Sequence, residues 1–389
     1  MKRLCLLILF MVSLPLNGLA NSLSLSPQLQ RELAAIAPGT TLTPALAEAL
    51  REIAFDQNRS LDERIEAMQK AVGFTPSQPL KRRVCIWDIA GRAGPIFQAA
   101  QDQQVRLQSY GVELELVPYT SESVLVDELQ GGRCDAGLMS GLRARLFNQY
   151  TGTIDAIGAL PSDEHMRTLL QVLAHPGSAD RMVSNSYVIL GIAPAGPAYI
   201  FVNDRAINTL GAAAGRRVAV LDYDEVQAEM VSQIGATPVP TDIVNAPNRF
   251  NNGTVDVLAA PLVAYEILEL YRGMTPNGGI IRYPLAQISM QLIGRADRFP
   301  NEIAQLVREE FFNNYDYIME RLEAEYARVD DKWWIEIPEK DKLEYEELMR
   351  EARITLRDQD YYSADMLNLQ RRIRCRKDAA RAECADGAE

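Results

Sequence analysis

Histidine is almost missing from this sequence: of 389 residues only His165 and His175 are imidazoles. An HExxH zinc pair is therefore excluded. Both histidines fall in one helical and looped stretch, 161–186, where packing accounts for either of them. The P-loop lysine and its following Ser/Thr are missing from GRAGP (residues 91–95), and no GxGxxG spacing occurs. The serine of GLMSG lacks the flanking glycines of a nucleophile elbow. No catalytic residue, no metal and no cofactor are expected from these patterns, and the reading is of a protein that is not an enzyme.

Basic charge is also short. Without Lys2 and Arg3, which belong to a separable leader, 38 basic residues face 52 acidic ones. A nucleic-acid partner is excluded, because such binding rests on basic patches that neutralise phosphates. Beyond residue 20 no apolar run reaches the about eighteen residues that mark a membrane helix, so the mature chain is not expected to be membrane-embedded.

The leader is Met1-Lys2-Arg3, an apolar stretch from Leu4 to Leu16, and Gly18-Leu19-Ala20. This is the pattern of a secretory signal peptide over 1–20, cut after Ala20. Cys5 lies too early to be a lipidation site, so a free secreted product is expected. Four cysteines then remain: Cys85, Cys134, Cys375 and Cys384. In an oxidising compartment they allow three connectivities, of which 85 with 134 and 375 with 384 is the most natural. None of their spacings fits a CxxC metal site.

What is present is a strand and helix grammar. Residues 24–73 read as helical, with caps at Thr43 and Ser60 and apolar residues at helical spacing in LTPALAEALREIAF and SLDERIEAMQKAV. From Arg83 the pattern alternates: the strand VCIWDI, the helix GPIFQAAQDQQVRLQSYG, the strand VELELVPY, the helix SESVLVDELQGG and the strand CDAGLMSG. It restarts after 186 with YVILGIAP, AYIFVN, RRVAVLDYD, EVQAEMVSQIG, ATPVP, VDVLAAP and LVAYEILELYRG. Alternation of this kind predicts parallel sheets with helices on both faces, and hence an α/β fold with two lobes and a cleft between them. IIRYPLAQISMQLIGRADRFP reads as crossing strands, followed by helices over 300–328, 339–356 and 360–376.

Polar residues gather at the strand exits. Trp87, Asp88 and Arg92 follow the first strand, Ser140, Gly141, Arg143 and Arg145 the third. Asp222 and Tyr223 leave GRRVAVLDYD, with Asn248 and Phe250 in the loop region beyond. A strand exit that opens a helix offers free N–H groups to an anion, and arginines placed there suit a carboxylate or another acidic oxygen. Two readings stay open: the arginines contact a ligand, or they pair with acids such as Asp88 and Asp135. Trp87 is either cleft wall or core, and Asp222 is either a ligand group or the cap of the helix beginning near Glu225.

VELELVPYTSESVLVDELQGGRCDAGLMSG and LGAAAGRRVAVLDYDEVQAEMVSQIGATPVPTDIVNAPNRFNNGTVDVLAAP resemble extracytoplasmic solute-binding proteins of the TRAP transporter class over roughly residues 80–330. Within that class, WDIAGRAGPIF and SGLRARLFNQYTG resemble a divergent subgroup of solute-binding or efflux-associated periplasmic proteins. The resemblance implies a two-lobed periplasmic-binding-protein fold, type II-like, with a helical N-terminal extension and C-terminal helices. It also implies a periplasmic location, a small-molecule ligand captured between the lobes, and a membrane permease as partner. The family carries a carboxylate-clamping arginine in a motif of glycine, any residue, basic, apolar, arginine. In GRRVAV that register places Ala219 at the arginine, so counter-charge for an anionic or zwitterionic solute falls to Arg92, Arg143 and Arg145.

The expected organisation is a signal peptide 1–20, a helical extension 21–79, lobe I over 80–186, lobe II over 187–285, and crossing strands with C-terminal helices over 286–389. The expected ligand set is Trp87, Asp88, Arg92, Arg143, Arg145, Asp222, Tyr223, Asn248 and Phe250. An accessory or adaptor role without a cargo of its own is the competing reading, and a secreted enzyme on the same scaffold the third.

Overall fold

The computed structural model describes residues 27–36, 41–387 and 389; the leader expected over 1–20 lies outside them. Helices α1 (Pro27–Ala34), α2 (Pro44–Phe55) and α3 (Leu61–Val72) come first. The side chain of Thr43 caps α2 by accepting from the Leu46 N–H, and Pro44 fills its first turn, where a missing N–H costs nothing. Ser60 and Glu63 cap α3 reciprocally, each side chain accepting from the other's backbone. The apolar faces of these helices meet one another and the Asn301–Asn313 helix through Leu33, Leu50, Met68, Ile303 and Leu306.

The first α/β half runs β1 (Leu80–Trp87), α4 (Pro95–Ser109), β2 (Val112–Tyr119), α5 (Glu122–Gln130), β3 (Ala136–Ser140) and the short helix α6 (Gly141–Ala144). β1 lies between β2 and β3 and is parallel to both. The Asp163–Ala174 helix follows, then β4 (Val183–Ser184) and β5 (Tyr187–Val202). The second half repeats the order with β6 (Arg217–Leu221), β7 (Thr237–Thr241) and β8 (Val257–Pro261), β6 lying between β7 and β8 and parallel to both. β7 carries two prolines, which are tolerated because it forms the outer edge of the sheet.

YVILGIAP and AYIFVN, read from sequence as two strands, are one strand, β5. From Tyr187 to Ala198 it pairs antiparallel with β10 (Ala286–Arg295), and from Ala198 to Val202 with β8; β9 (Gly279–Ile281) pairs with its end at Phe201 and Val202, and β11 (Trp334–Ile335) pairs with β9. β10 also pairs with β3, so the sheet is continuous, in the order β2-β1-β3-β10-β5-β8-β6-β7. A buried strand flanked on both edges reads as a near-unbroken apolar run, which is what β5 shows. The ladder with β10 is interrupted at Ala195, which has no partner there, while Pro194, Gly196 and Pro197 keep theirs. Gly196 has a φ of 86°, and β10 shifts register opposite it, between Ile288 and Ser289.

LVAYEILELYRG is not one helix. Two short turns, Ala264–Ile267 and Tyr271–Met274, are separated by Glu269 in the left-handed region. The C-terminal helices Glu339–Asp358 and Ala364–Lys377 lie against both halves: Tyr345 and Met349 pack with Val202 and Ile281 of the second, and Met366 and Ile373 with Leu169 and Met139 of the first. Cys85 is bonded to Cys134 and Cys375 to Cys384, with Cα atoms 5.9 and 5.6 Å apart. The first bond ties β1 to the turn before β3 inside the core of the first half.

Candidate functional site

The exits of β3 and β6 face each other. Ser140 ends β3 buried; its hydroxyl accepts from the Arg143 N–H, and its own N–H donates to Glu122 Oε1 at 2.6 Å. Gly141 is required here, because a Cβ would fall 2.3 Å from Ser289 Oγ and 2.4 Å from Asp155 Oδ2. That contact lets α6 begin against the polar floor and aim Arg143 and Arg145 across the gap.

Both arginines reach aromatic rings on the far side. The Arg143 guanidinium carbon lies 3.3 Å from the centre of the Tyr223 ring, and that of Arg145 lies 3.8 Å from the centre of the Tyr361 ring. Tyr223 leaves β6, and Tyr361 lies in the turn between the two C-terminal helices. Cation–π stacking of this kind is worth about 0.5–2 kcal/mol per pair. Among the described residues neither guanidinium has a carboxylate within 4.0 Å, and Arg143 Nε and Arg145 Nε are buried without a hydrogen-bond partner. Tyr223 Oη and Glu122 Oε2 are buried and unpartnered in the same way.

The acids around them are held by neutral groups. Asp155 accepts from Ser289 Oγ at 2.6 Å and from the Ser289 N–H. Burial pushes its carboxyl up to about 7, against the pull of Ser289 and of the Arg145 charge. Gln291 Nε2 donates to Ser289 Oγ and to the Thr151 carbonyl, extending this network along β10. Burial likewise raises the Glu122 carboxyl, opposed by Ser140 and Arg143. Asp224 caps the Glu225–Gln233 helix by accepting from the Gln227 N–H, and Tyr361 Oη donates to its other oxygen at 2.5 Å. Burial is the main cause that raises the Asp224 carboxyl as well. Tyr362, behind Tyr361, accepts from the Ile157 N–H. One turn of the C-terminal region therefore touches both halves.

Asp88, Ser140, Arg145, Asp155, Asp224 and Tyr361 edge a partly open space of about 1270 Å³, most of it running between apolar residues. Glu122, Arg143 and Tyr223 do not edge it, because there the 3.3 Å stack shuts the gap.

Of the residues expected from sequence, the structure brings together Arg143, Arg145 and Tyr223. The other six do not join them, although Trp87 and Asp88 also line the space. Asp88 is 1% exposed and its carboxylate accepts from the N–H groups of Ala90, Ile96 and Phe97, so it organises the turn into α4 and also occupies the N–H groups expected to meet an anion. Arg92 is exposed on that turn, 5.3 Å from the Phe97 ring centre. Asp222 is exposed, and the cap it was offered for is made by Asp224. Asn248 is exposed on the Ala246–Asn251 helix, while Phe250 on the same helix is fully buried in the core of the second half. Trp87 is half-buried against the core of the first half, with its indole N–H donating to the Thr120 carbonyl. Both histidines are local: His165 Nδ1 is bonded to Ser162, and His175 Nδ1 accepts from the Gly177 N–H.

Sequence reasoning missed Glu122, Asp155, Asp224 and Tyr361. Glu122 sits just after the Ser121 cap, where an acid reads as an ordinary helix-dipole partner. Tyr361 belongs to a turn far from any strand exit. Ala219, at the position of the family's clamp, is buried in β6 beside Val239. The neighbouring Arg217 is used structurally, donating to both oxygens of Asp256.

Comparison with known proteins places this geometry in context. The family model described as "Solute-binding protein AdeT 1/2" matches residues 99–389. AdeT1 of Acinetobacter baumannii, described as a probable solute-binding protein, is 38% identical over 300 residues, which is 77% of this chain and 99% of AdeT1. Among solved structures, the TRAP periplasmic solute-binding protein of Desulfovibrio salexigens with bound orotic acid has a TM-score of 0.61 at 16% identity, over 76% of this chain and 99% of that one. The corresponding protein of Xanthobacter autotrophicus, with bound β-D-galacturonate, has a TM-score of 0.60 at 16% identity, with the same coverage of both chains.

Proposed function

Because the chain belongs to the AdeT1/2 solute-binding protein family, we propose that it is a periplasmic receptor which captures a small polar solute, anionic or zwitterionic, between its two halves and delivers it to a membrane permease. The family is one of binding proteins and not of enzymes. Among the described residues no helix is long and apolar enough to cross a membrane, which suits a receptor that meets its permease only at the surface.

One observation carries the reading: Arg143 and Arg145 reach across the gap without an ion pair, each stacked on a tyrosine of the opposite side. A buried or half-buried guanidinium normally finds a carboxylate. Two that do not are a prepared counter-charge for an incoming acidic group, which each fork can take in a bidentate grip. They stand in for the clamp that Ala219 cannot supply.

The test is a thermal-shift screen of small acids followed by calorimetry on any that stabilise. A ligand bound only by the folded protein raises stability with its concentration. Arg143→Ala and Arg145→Ala should each weaken binding by about tenfold or more, a loss of one charged hydrogen bond, while Arg92→Ala leaves affinity unchanged. Equal affinity in all three variants would sink the assignment.

A further inference from the structure

Glu122 is 6% exposed, on the same side of the gap as Arg143. Its Oε1 is committed to the Ser140 N–H, which fixes the carboxyl at the exit of β3, and its Oε2 is buried and unpartnered. Among the described residues no lysine or arginine nitrogen lies within 4.0 Å of it. Across the gap is Tyr223, whose unpartnered hydroxyl is held in the phenol form first by burial and then by the charge of Glu122.

Three unpartnered polar atoms of different kinds therefore lie near one another where the Arg143–Tyr223 stack shuts the cleft: a carboxyl oxygen, a phenol hydroxyl and the Arg143 Nε. An acid alone satisfies only part of this set. Its oxygens would suit Arg143 and Tyr223, but they would also approach Glu122 Oε2, and an unpaired buried acceptor facing an anion is repelled. A solute that brings a donor beside its acid group satisfies all three.

We propose that Glu122 is a specificity-determining residue of the cleft, selecting an amphoteric solute whose acid group meets Arg143 and whose ammonium or other N–H donor meets Glu122 Oε2. This rests on the solute-binding reading above and narrows its ligand class. Entry at this point replaces the Tyr223 ring as the partner of Arg143, so it requires the halves to part. The selection is by an unsatisfied group, the kind of device that rejects a lacking analogue more strongly than it attracts the right one.

The experiment compares paired probes by calorimetry: α-amino acids, each beside the same acid with hydrogen in place of the ammonium. Wild type is expected to bind at least one amino acid ten times or more tighter than its deaminated partner. Glu122→Gln keeps an oxygen for the Ser140 N–H, so it should fold, and unchanged circular dichroism and melting temperature will establish that it does. In this variant the preference should collapse to within about threefold, chiefly through a weaker amino acid. Glu122→Ala should lose the preference as well. If the deaminated acids bind wild type and both variants as well as the amino acids do, Glu122 selects nothing while the receptor reading stands. A preference that survives intact in Glu122→Gln overturns the proposal in the same way. Binding of neither class by wild type would overturn the receptor reading along with it.

Discussion

Asp155 and Ser289 show how single residues carry this site. Burial pushes the Asp155 carboxyl up to about 7 from its ordinary 3.8, so between these values the folded state holds a proton that the unfolded state sheds. Its contribution to stability is full below about pH 4 and is lost as pH rises through about 7. Asp155→Asn removes that dependence. Relative to wild type the variant should gain stability from pH 4 to pH 8, by up to about 4 kcal/mol, measured by urea unfolding at both ends. A difference that does not change with pH would refute the assignment. The partners of these residues could not be read along the chain. Arg143 and Arg145 stood out as cations at a strand exit, but whether an acid neutralises them depends on Asp155 and Asp224, which come from separate parts of the chain. Asp88 illustrates the converse: a carboxylate at a strand exit is as suitable for main-chain N–H groups as for a ligand, and proximity to Ile96 and Phe97 decided it.

At the scale of elements, β5 and the turn around Tyr361 link the halves. Gly196 cannot be replaced without cost: its φ of 86° disfavours a side chain, and a Cβ would lie 1.6 Å from Tyr326 Oη. Gly196→Ala should lower stability by at least about 1–2 kcal/mol, seen as a reduced melting temperature. A melting curve that overlays wild type would show that the crossing point tolerates a side chain. Tyr361→Phe keeps the ring over Arg145 but deletes the hydroxyl that donates to Asp224. It should cost about 1–2 kcal/mol, because Asp224 is left buried with fewer partners; an unchanged urea midpoint would mean that the turn does not depend on this bond. β2 was legible from its strict alternation, and β7 and β8 as short runs bounded by turn residues. The unity of β5 was not, since a proline-glycine-proline interruption in a long strand looks the same as a turn between two strands.

Over the whole molecule, the N-terminal helices dock through a buried ion pair as well as an apolar face. Arg64 is 4% exposed; it donates to both oxygens of Glu309 at 2.7 and 2.9 Å and to the Ala54 carbonyl. Arg64→Met leaves Glu309 without its charge partner, with Gln305 alone still donating to it, and should destabilise the docking by about 3 kcal/mol. Limited proteolysis should then cut within 41–79 before it cuts the α/β body, whereas simultaneous digestion would show that the helices and the body unfold together.

What local chemistry alone determined is most of the elements, β5 and the stretch around Glu269 excepted: alternating apolar residues, caps and glycine stops specify strands and helices within a few residues of themselves. The same holds for the α/β class, for the cysteine pairs as the most natural connectivity, and for the absence of an arginine at Ala219. Only the tertiary structure decided which polar residues face one another. That outcome depends on β5 and β10 running through both halves, on α6 starting against Asp155 and Ser289, and on a C-terminal turn returning some 200 residues later to lay Tyr361 on Arg145. Contacts made across such separations leave no periodic trace in the chain, because each partner is locally an ordinary polar residue in a helix turn or a loop.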